Sequence, residues 1–233
     1  MVDLMKRREL LTSGLAAGVA LALPIRASAQ SLSEEFDKAF GLEPVPIVPV
    51  EPALPTEVVP NPAYDARVLE IARREAMRAG NSLWRRDIVG IADFARPSTL
   101  PRLHFVNLED GTIRSSYVAH GRGSDPEHSG FLQNFSSSPG SEATSRGAYL
   151  TAEWYHGKYG TSIRLLGLDS DNSTALERAI VMHPAWYASP QLIARQGKLG
   201  RSEGCFAMAP DQFSEALWHL SGGRLLFADR IEV

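Results

Sequence analysis

Apolar residues recur at helical spacing between Ala63 and Asn81. Val68, Ile71, Ala72 and Ala76 share one face, and Gly80-Asn81 marks a stop. The spacing predicts an amphipathic helix over 63–80 that docks on a larger body. Beyond it the period shortens. Asp87–Phe94 and Arg102–Leu108 alternate or run apolar, and the Glu109-Asp110-Gly111-Thr112 sequence supplies a hairpin turn. Ile113–His120 is the expected hairpin partner. Four more strands are expected in "GAYLTAEWY", "SIRLLGL", "RAIVMH" and "RLLFADRIEV". Two late helices follow, one after Ser189-Pro190 with Ser189 as its cap, the other over 211–220 and ended by Gly222-Gly223. The pattern gives a domain that is mainly β with a few helices, a twisted sandwich or open barrel.

Ahead of that domain the chain changes character twice. Residues 1–29 form the pattern of a signal peptide: a basic start, an apolar run from Leu15 to Leu23, then Ala27-Ser28-Ala29 as a cleavage site. The Arg7-Arg8 pair resembles a twin-arginine export signal. The run is too short for a permanent membrane span, so no transmembrane anchor is expected after cleavage. Residues 30–62 follow as a linker, with seven prolines between Pro44 and Pro62 that favour extended polyproline-like backbone. The working domain is expected at 63–233, exported to the periplasm or cell envelope.

Charge narrows the partners. The net charge is -3 and the pI near 6.1, so no basic field exists to hold nucleic acid. The run Arg73, Arg74, Arg78, Arg85 and Arg86 reads as a solvated helix face. Export makes the single cysteine, Cys205, conspicuous. Thiols outside the cytoplasm usually pair, and an unpaired one is either buried and inert or used.

The stretch "RSEGC" has the parts for use. A thiol nucleophile needs a base or a positive field, backbone amides for an oxyanion, and an open approach. Gly204 permits a tight turn, the amides of Gly204 and Cys205 are candidate donors, Ser202 can bond its own loop, and Arg201 brings positive charge. Six histidines are available as base: His104, His120, His128, His156, His183 and His219. His183 is favoured, because it ends the apolar strand "RAIVMH" and Pro184 follows it.

Taken together, "RAIVMHPAWYA" and "LGRSEGCFAMAP" resemble the L,D-transpeptidase catalytic domain, the YkuD-like superfamily, in its murein L,D-transpeptidase branch. "VAHG" at Val118–Gly121, "SSSPGS" at Ser136–Ser141, "SIRLLGLD" and "GGRLLF" extend the likeness from about Leu83 to the C-terminus. The resemblance implies an L,D-transpeptidase-like β-sandwich or open barrel that needs no metal or organic cofactor. It implies Cys205 as nucleophile and His183 as base, the imidazole oriented by the Pro184 carbonyl. Amides at Gly204 and Cys205 would form the oxyanion hole, with Ser202 shaping the loop. His120 and Gly121 would line the same cleft, and Arg201 would meet a substrate carboxylate. The implied partners are diaminopimelate-containing peptidoglycan stem peptides, with a wall-attached lipoprotein, a second stem amine or water as acceptor.

The chain departs from the branch at Pro184, Glu203, Phe206 and Ala207. Two rival readings remain at this level. One is a metal-dependent wall hydrolase using His120, Asp125, Glu127 and His128, with His183 beyond them. The other is a non-catalytic wall-binding module with Trp154, Tyr155, Trp186 and Tyr187 along a groove.

Overall fold

A computed structural model describes residues 61–231. The expected signal peptide and all but the last two residues of the expected linker lie outside the described residues. Helix α1 (Pro62–Ala79) starts at Asn61, whose side chain accepts the Tyr64 N–H, with proline at its first position. It ends at Gly80, held at φ 51°. Val68, Ile71, Ala72 and Ala76 form its buried stripe, as the spacing predicts. Full burial of side chains such as Val68 and Ile71 contributes roughly 1.5–3 kcal/mol each. The helix is also pinned by a polar contact: Tyr64 Oη donates to Asp93 (2.7 Å) and meets His104 Nε2 (2.8 Å).

The described residues form one eight-stranded sheet: β1 (Ile88–Asp93), β2 (Leu103–Asn107), β3 (Ile113–Ser116), β4 (Gly147–Gly157), β5 (Gly160–Gly167), β6 (Val181–Pro184), β7 (Phe206–Met208) and β8 (Arg224–Asp229). Their spatial order is β3-β2-β1-β8-β4-β5-β6-β7. The β1–β8 and β6–β7 pairs are parallel and the others antiparallel. The central strands are apolar on both faces because both are covered. Val89, Ile91, Leu225 and Phe227 pack with the stripe of α1. Ala92, Leu226 and Ala228 face the main core, with helix α3 (Phe213–Leu220) supplying Phe213, Ala216 and Leu220. Helix α2 (Pro190–Gln196) begins after Ser189, but the Ser189 hydroxyl bonds Gln191 rather than capping the backbone.

The expected strand 113–120 is interrupted. The chain leaves β3 after Ser116 and crosses to the opposite end of the sheet, where Ala119 bridges Ala207 of β7 and Gly121 bridges Ser202. One short segment thus links both edges, and the sheet becomes nearly closed and barrel-like. Closure covers edges that would otherwise present unpaired backbone.

Candidate active site

Cys205 immediately precedes β7, and His183 lies on β6. In their parallel pairing Met182 opposes Phe206, and His183 opposes Ala207. Side chains alternate along a strand, so Cys205 and Ala207 face the same way, and His183 with them. Cys205 thus lies on the neighbouring segment, two residues before Ala207, the partner of His183 in register. Pro184 sits in register with Met208 and not outside the ladder as its lack of an N–H predicts. It survives there because the β5–β6 pairing ends at Met182.

The imidazole is fixed by its neighbours. His183 Nδ1 donates to the Pro184 carbonyl at 3.0 Å, which leaves Nε2 as the free basic nitrogen. Tyr159, at the tip of the β4–β5 hairpin, stacks on the ring with centroids 4.4 Å apart and planes 23° apart. It is itself 41% exposed. Burial holds His183 below the ordinary histidine value, partly offset by the Pro184 bond.

Cys205 is 8% exposed. Burial pushes its thiol above the ordinary value; the Val181 main-chain N–H and Arg178 pull it down, and Glu203 pushes it further up. Sγ rests 3.8 Å from the Ala179 carbonyl. Burial thus disfavours the charged form of both the thiol and the imidazole. Arg178 was not among the residues singled out from sequence. Its guanidinium also ties Ser136 O, Ser145 Oγ and Ala143 O together, which fastens the "SSSPGS" segment beside the loop.

The loop itself is tightly built. The Ser202 hydroxyl donates to Cys205 O (2.6 Å) and accepts from Gly204 N (3.2 Å). Gly204 has φ +112°, and a Cβ there would stand 2.8 Å from Ala143 O. Only glycine fits this conformation and space. The Gly204 amide, one expected oxyanion donor, is thus bonded to Ser202.

Three further expected site residues are held by their neighbours. His120 does not line a cleft. It is 1% exposed, with Arg102 at Nδ1 (2.8 Å) and Asp125 near Nε2 (3.4 Å). Gly121 is buried as well; its N–H donates to Thr144 Oγ1, and its backbone packs on Gly204. One nitrogen of the Arg201 guanidinium donates to the carbonyls of Asp125 and Pro126. These shifts follow from the 117–121 crossing, a long-range pairing that local pattern does not reveal.

The rival ligand set is dispersed in its bonding. The Asp125 carboxylate takes the amides of Ser129 and Gly130, and His128 Nε2 meets Leu199 O at 2.8 Å. Among the described residues, no three His, Cys, Asp or Glu side chains are grouped to hold a metal ion. The aromatic groove fares differently. Trp186 (74% exposed) and Trp154 are open to solvent, and Trp186 packs edge-on against Tyr187. Burial pushes the Tyr187 hydroxyl up, with smaller contributions from Cys205, Tyr159 and Glu203.

The family model for the L,D-transpeptidase catalytic domain matches residues 61–228. The chain belongs to that family. No curated protein matches it. Solved structures with a similar fold include an L,D-transpeptidase from Mycobacterium smegmatis, at 16% identity and TM-score 0.37, covering 61% of this chain and 58% of that one. The helical cell shape determining protein of Campylobacter jejuni is similar at 14% identity and TM-score 0.42, covering 74% and 58%. An L,D-transpeptidase from Stackebrandtia nassauensis is similar at 13% identity and TM-score 0.37, covering 70% and 66%. The chain thus spans under two thirds of each of these three. Among the described residues no helix is long and apolar enough to cross a membrane.

Proposed function

We propose that this protein is an exported peptidoglycan L,D-transpeptidase with Cys205 as nucleophile and His183 as general base. The observation that carries the reading is the shared face of β6 and β7. It puts the one cysteine of the chain two register positions from a histidine whose Nδ1 is already committed to Pro184 O. Family membership supplies the substrate class, peptidoglycan stem peptides.

In the first stage the imidazole takes the thiol proton as sulfur attacks the carbonyl of the L-centre of diaminopimelate in a tetrapeptide stem. The raised thiol and lowered imidazole make this transfer part of the attack, not a standing ion pair. Charge on the carbonyl oxygen is met by the Cys205 amide, since the Gly204 amide is held by Ser202. The C–N bond to D-alanine breaks, the imidazolium protonates the departing amine, and a thioester remains on sulfur. In the second stage an amine of a neighbouring stem, deprotonated by His183, attacks the thioester. An amide forms, and the thiol recovers its proton. Tyr159 shields the base, and the exposed aromatics Trp186 and Trp154 offer stacking surface to the stem or its glycan.

Incubating the protein with disaccharide-tetrapeptide and analysing the products by mass spectrometry tests the reading. A cross-linked dimer with released D-alanine is expected. Tripeptide in place of dimer makes the protein an L,D-carboxypeptidase, a lysine-linked product with an added lipoprotein makes that lipoprotein the acceptor, and unchanged substrate rejects the catalytic reading.

A further inference from the structure

The sequence segment "VAHG" has no place in the chemistry above, and its histidine points into the protein. Its main chain, however, is zipped along the cysteine loop. Ala119 N donates to Ala207 O (2.8 Å), Ser202 N to His120 O (2.9 Å), and Arg122 N to Ser202 O (2.8 Å). Gly121 meets Gly204 backbone to backbone. Both ends of the loop from Ser202 to Ala207 thus rest on four residues centred on His120.

Those four residues are anchored in turn by one buried side-chain cluster. Arg102, on the segment entering β2, is fully buried and donates to Val118 O (3.0 Å), Arg96 O (3.1 Å) and His120 Nδ1 (2.8 Å). A guanidinium has donors only, so Nδ1 of His120 accepts and the ring proton sits on Nε2. That nitrogen is buried with no well-aligned hydrogen bond and faces Asp125 Oδ2 at 3.4 Å. The Asp125 carbonyl accepts from Arg201, the residue before Ser202, and so the cluster closes on the loop. His183 carries its proton on the other nitrogen, Nδ1. The two histidines are thus used in opposite tautomers, one for support and one for base chemistry. A buried ionic cluster of this kind is rarely the most stable filling for its space, which argues for a positional role.

We propose that His120 is a positioning residue for Cys205: its ring, an acceptor toward Arg102 with its Nε2–H facing the Asp125 carboxylate, sets the segment on which the cysteine loop lies. This rests on the reading of Cys205 as nucleophile. An amide side chain offers the same acceptor and donor; an alkyl one offers neither.

His120→Leu and His120→Gln test it, with circular dichroism to establish folding. Cys205 is the only cysteine, so iodoacetamide alkylation across pH reads its thiol alone. In folded His120→Leu the alkylation midpoint shifts by about half a pH unit or more, and kcat falls about tenfold or more at near-constant KM, a pattern of lost transition-state alignment. His120→Gln restores both. A folded His120→Leu protein with wild-type midpoint and kcat overturns the proposal, as does a Gln variant no better than Leu. Should His120→Leu fail to fold, Arg102→Lys keeps the charge but loses the fork, and an unchanged midpoint there overturns it equally. Retained transpeptidation by Cys205→Ala would instead reject the reading of the nucleophile, and the alkylation data would stand apart from that result.

Discussion

Gly121 and Gly204 lie backbone against backbone: a Cβ on Gly121 would stand 2.7 Å from both Cα and N of Gly204, and 2.3 Å from Glu142 O. The obstructing atoms are main chain and cannot swing aside. Gly121→Ala is therefore expected to displace the cysteine loop, at a stability loss of about 1–3 kcal/mol and with kcat reduced more than thermal stability alone explains. Gly204→Ala adds the strain of φ +112° and is expected to be worse. Thermal unfolding together with kcat on a tetrapeptide substrate measures both effects.

Tyr159 shields the imidazole it stacks on. Burial is the larger reason His183 lies below the usual histidine value. Removing the ring in Tyr159→Ala rehydrates His183 and raises its pKa, so the acid limb of the rate profile moves to higher pH. Tyr159→Phe retains the stack and is expected to leave that limb in place. Profiles of kcat for the three proteins decide the matter.

The thiol sits between opposite charges. Glu203 raises its pKa and Arg178 lowers it. Glu203→Gln is expected to move the alkylation midpoint of Cys205 down, by a small step because the carboxylate is largely in water. Arg178→Gln is expected to move it up, and also to loosen the Ser136–Ser145 segment that the guanidinium ties. Equal midpoints across the series would remove both charges from the account.

Acid should destabilise the fold through histidines that remain neutral inside it. Burial holds His104 down to about 3, and His120 is likewise held well below its ordinary value. Below about pH 6.5 the unfolded chain takes up protons that the native state refuses. Stability is therefore full above that pH and falls with acid by about 1.4 kcal/mol per pH unit per histidine, until the folded His104 titrates near pH 3. Denaturant unfolding at pH 7 and pH 5 checks the slope, and His104→Gln should flatten it by one proton.

Much of the architecture was readable from local pattern. The α1 stripe, both late helices and seven of the eight strands follow from apolar spacing and glycine stops; the three-residue β7 and the spatial order of the strands do not. The bond from His183 to the Pro184 carbonyl is where the resemblance implies it; the roles of Cys205 and His183 belong to the proposal. What escaped depends on contacts far apart in sequence. The crossing after Ser116 bridges Ala119 to Ala207 of β7 and buries His120, which spacing alone does not reveal. Arg178 and Tyr159 carry no local signature; only the folded sheet brings a cation to Cys205 and a ring to His183. The bonds of Arg201 to the carbonyls of Asp125 and Pro126 cannot be inferred from spacing either.

The central claim concerns the atom that holds the acyl group. Mixing the protein with tetrapeptide stem, quenching in acid and mapping the digested protein by mass spectrometry locates it. The account predicts a tripeptide acyl adduct on the peptide that contains Cys205, lost on treatment with hydroxylamine and absent in Cys205→Ala. An adduct on any other residue, or cross-linked product formed by Cys205→Ala, would contradict it.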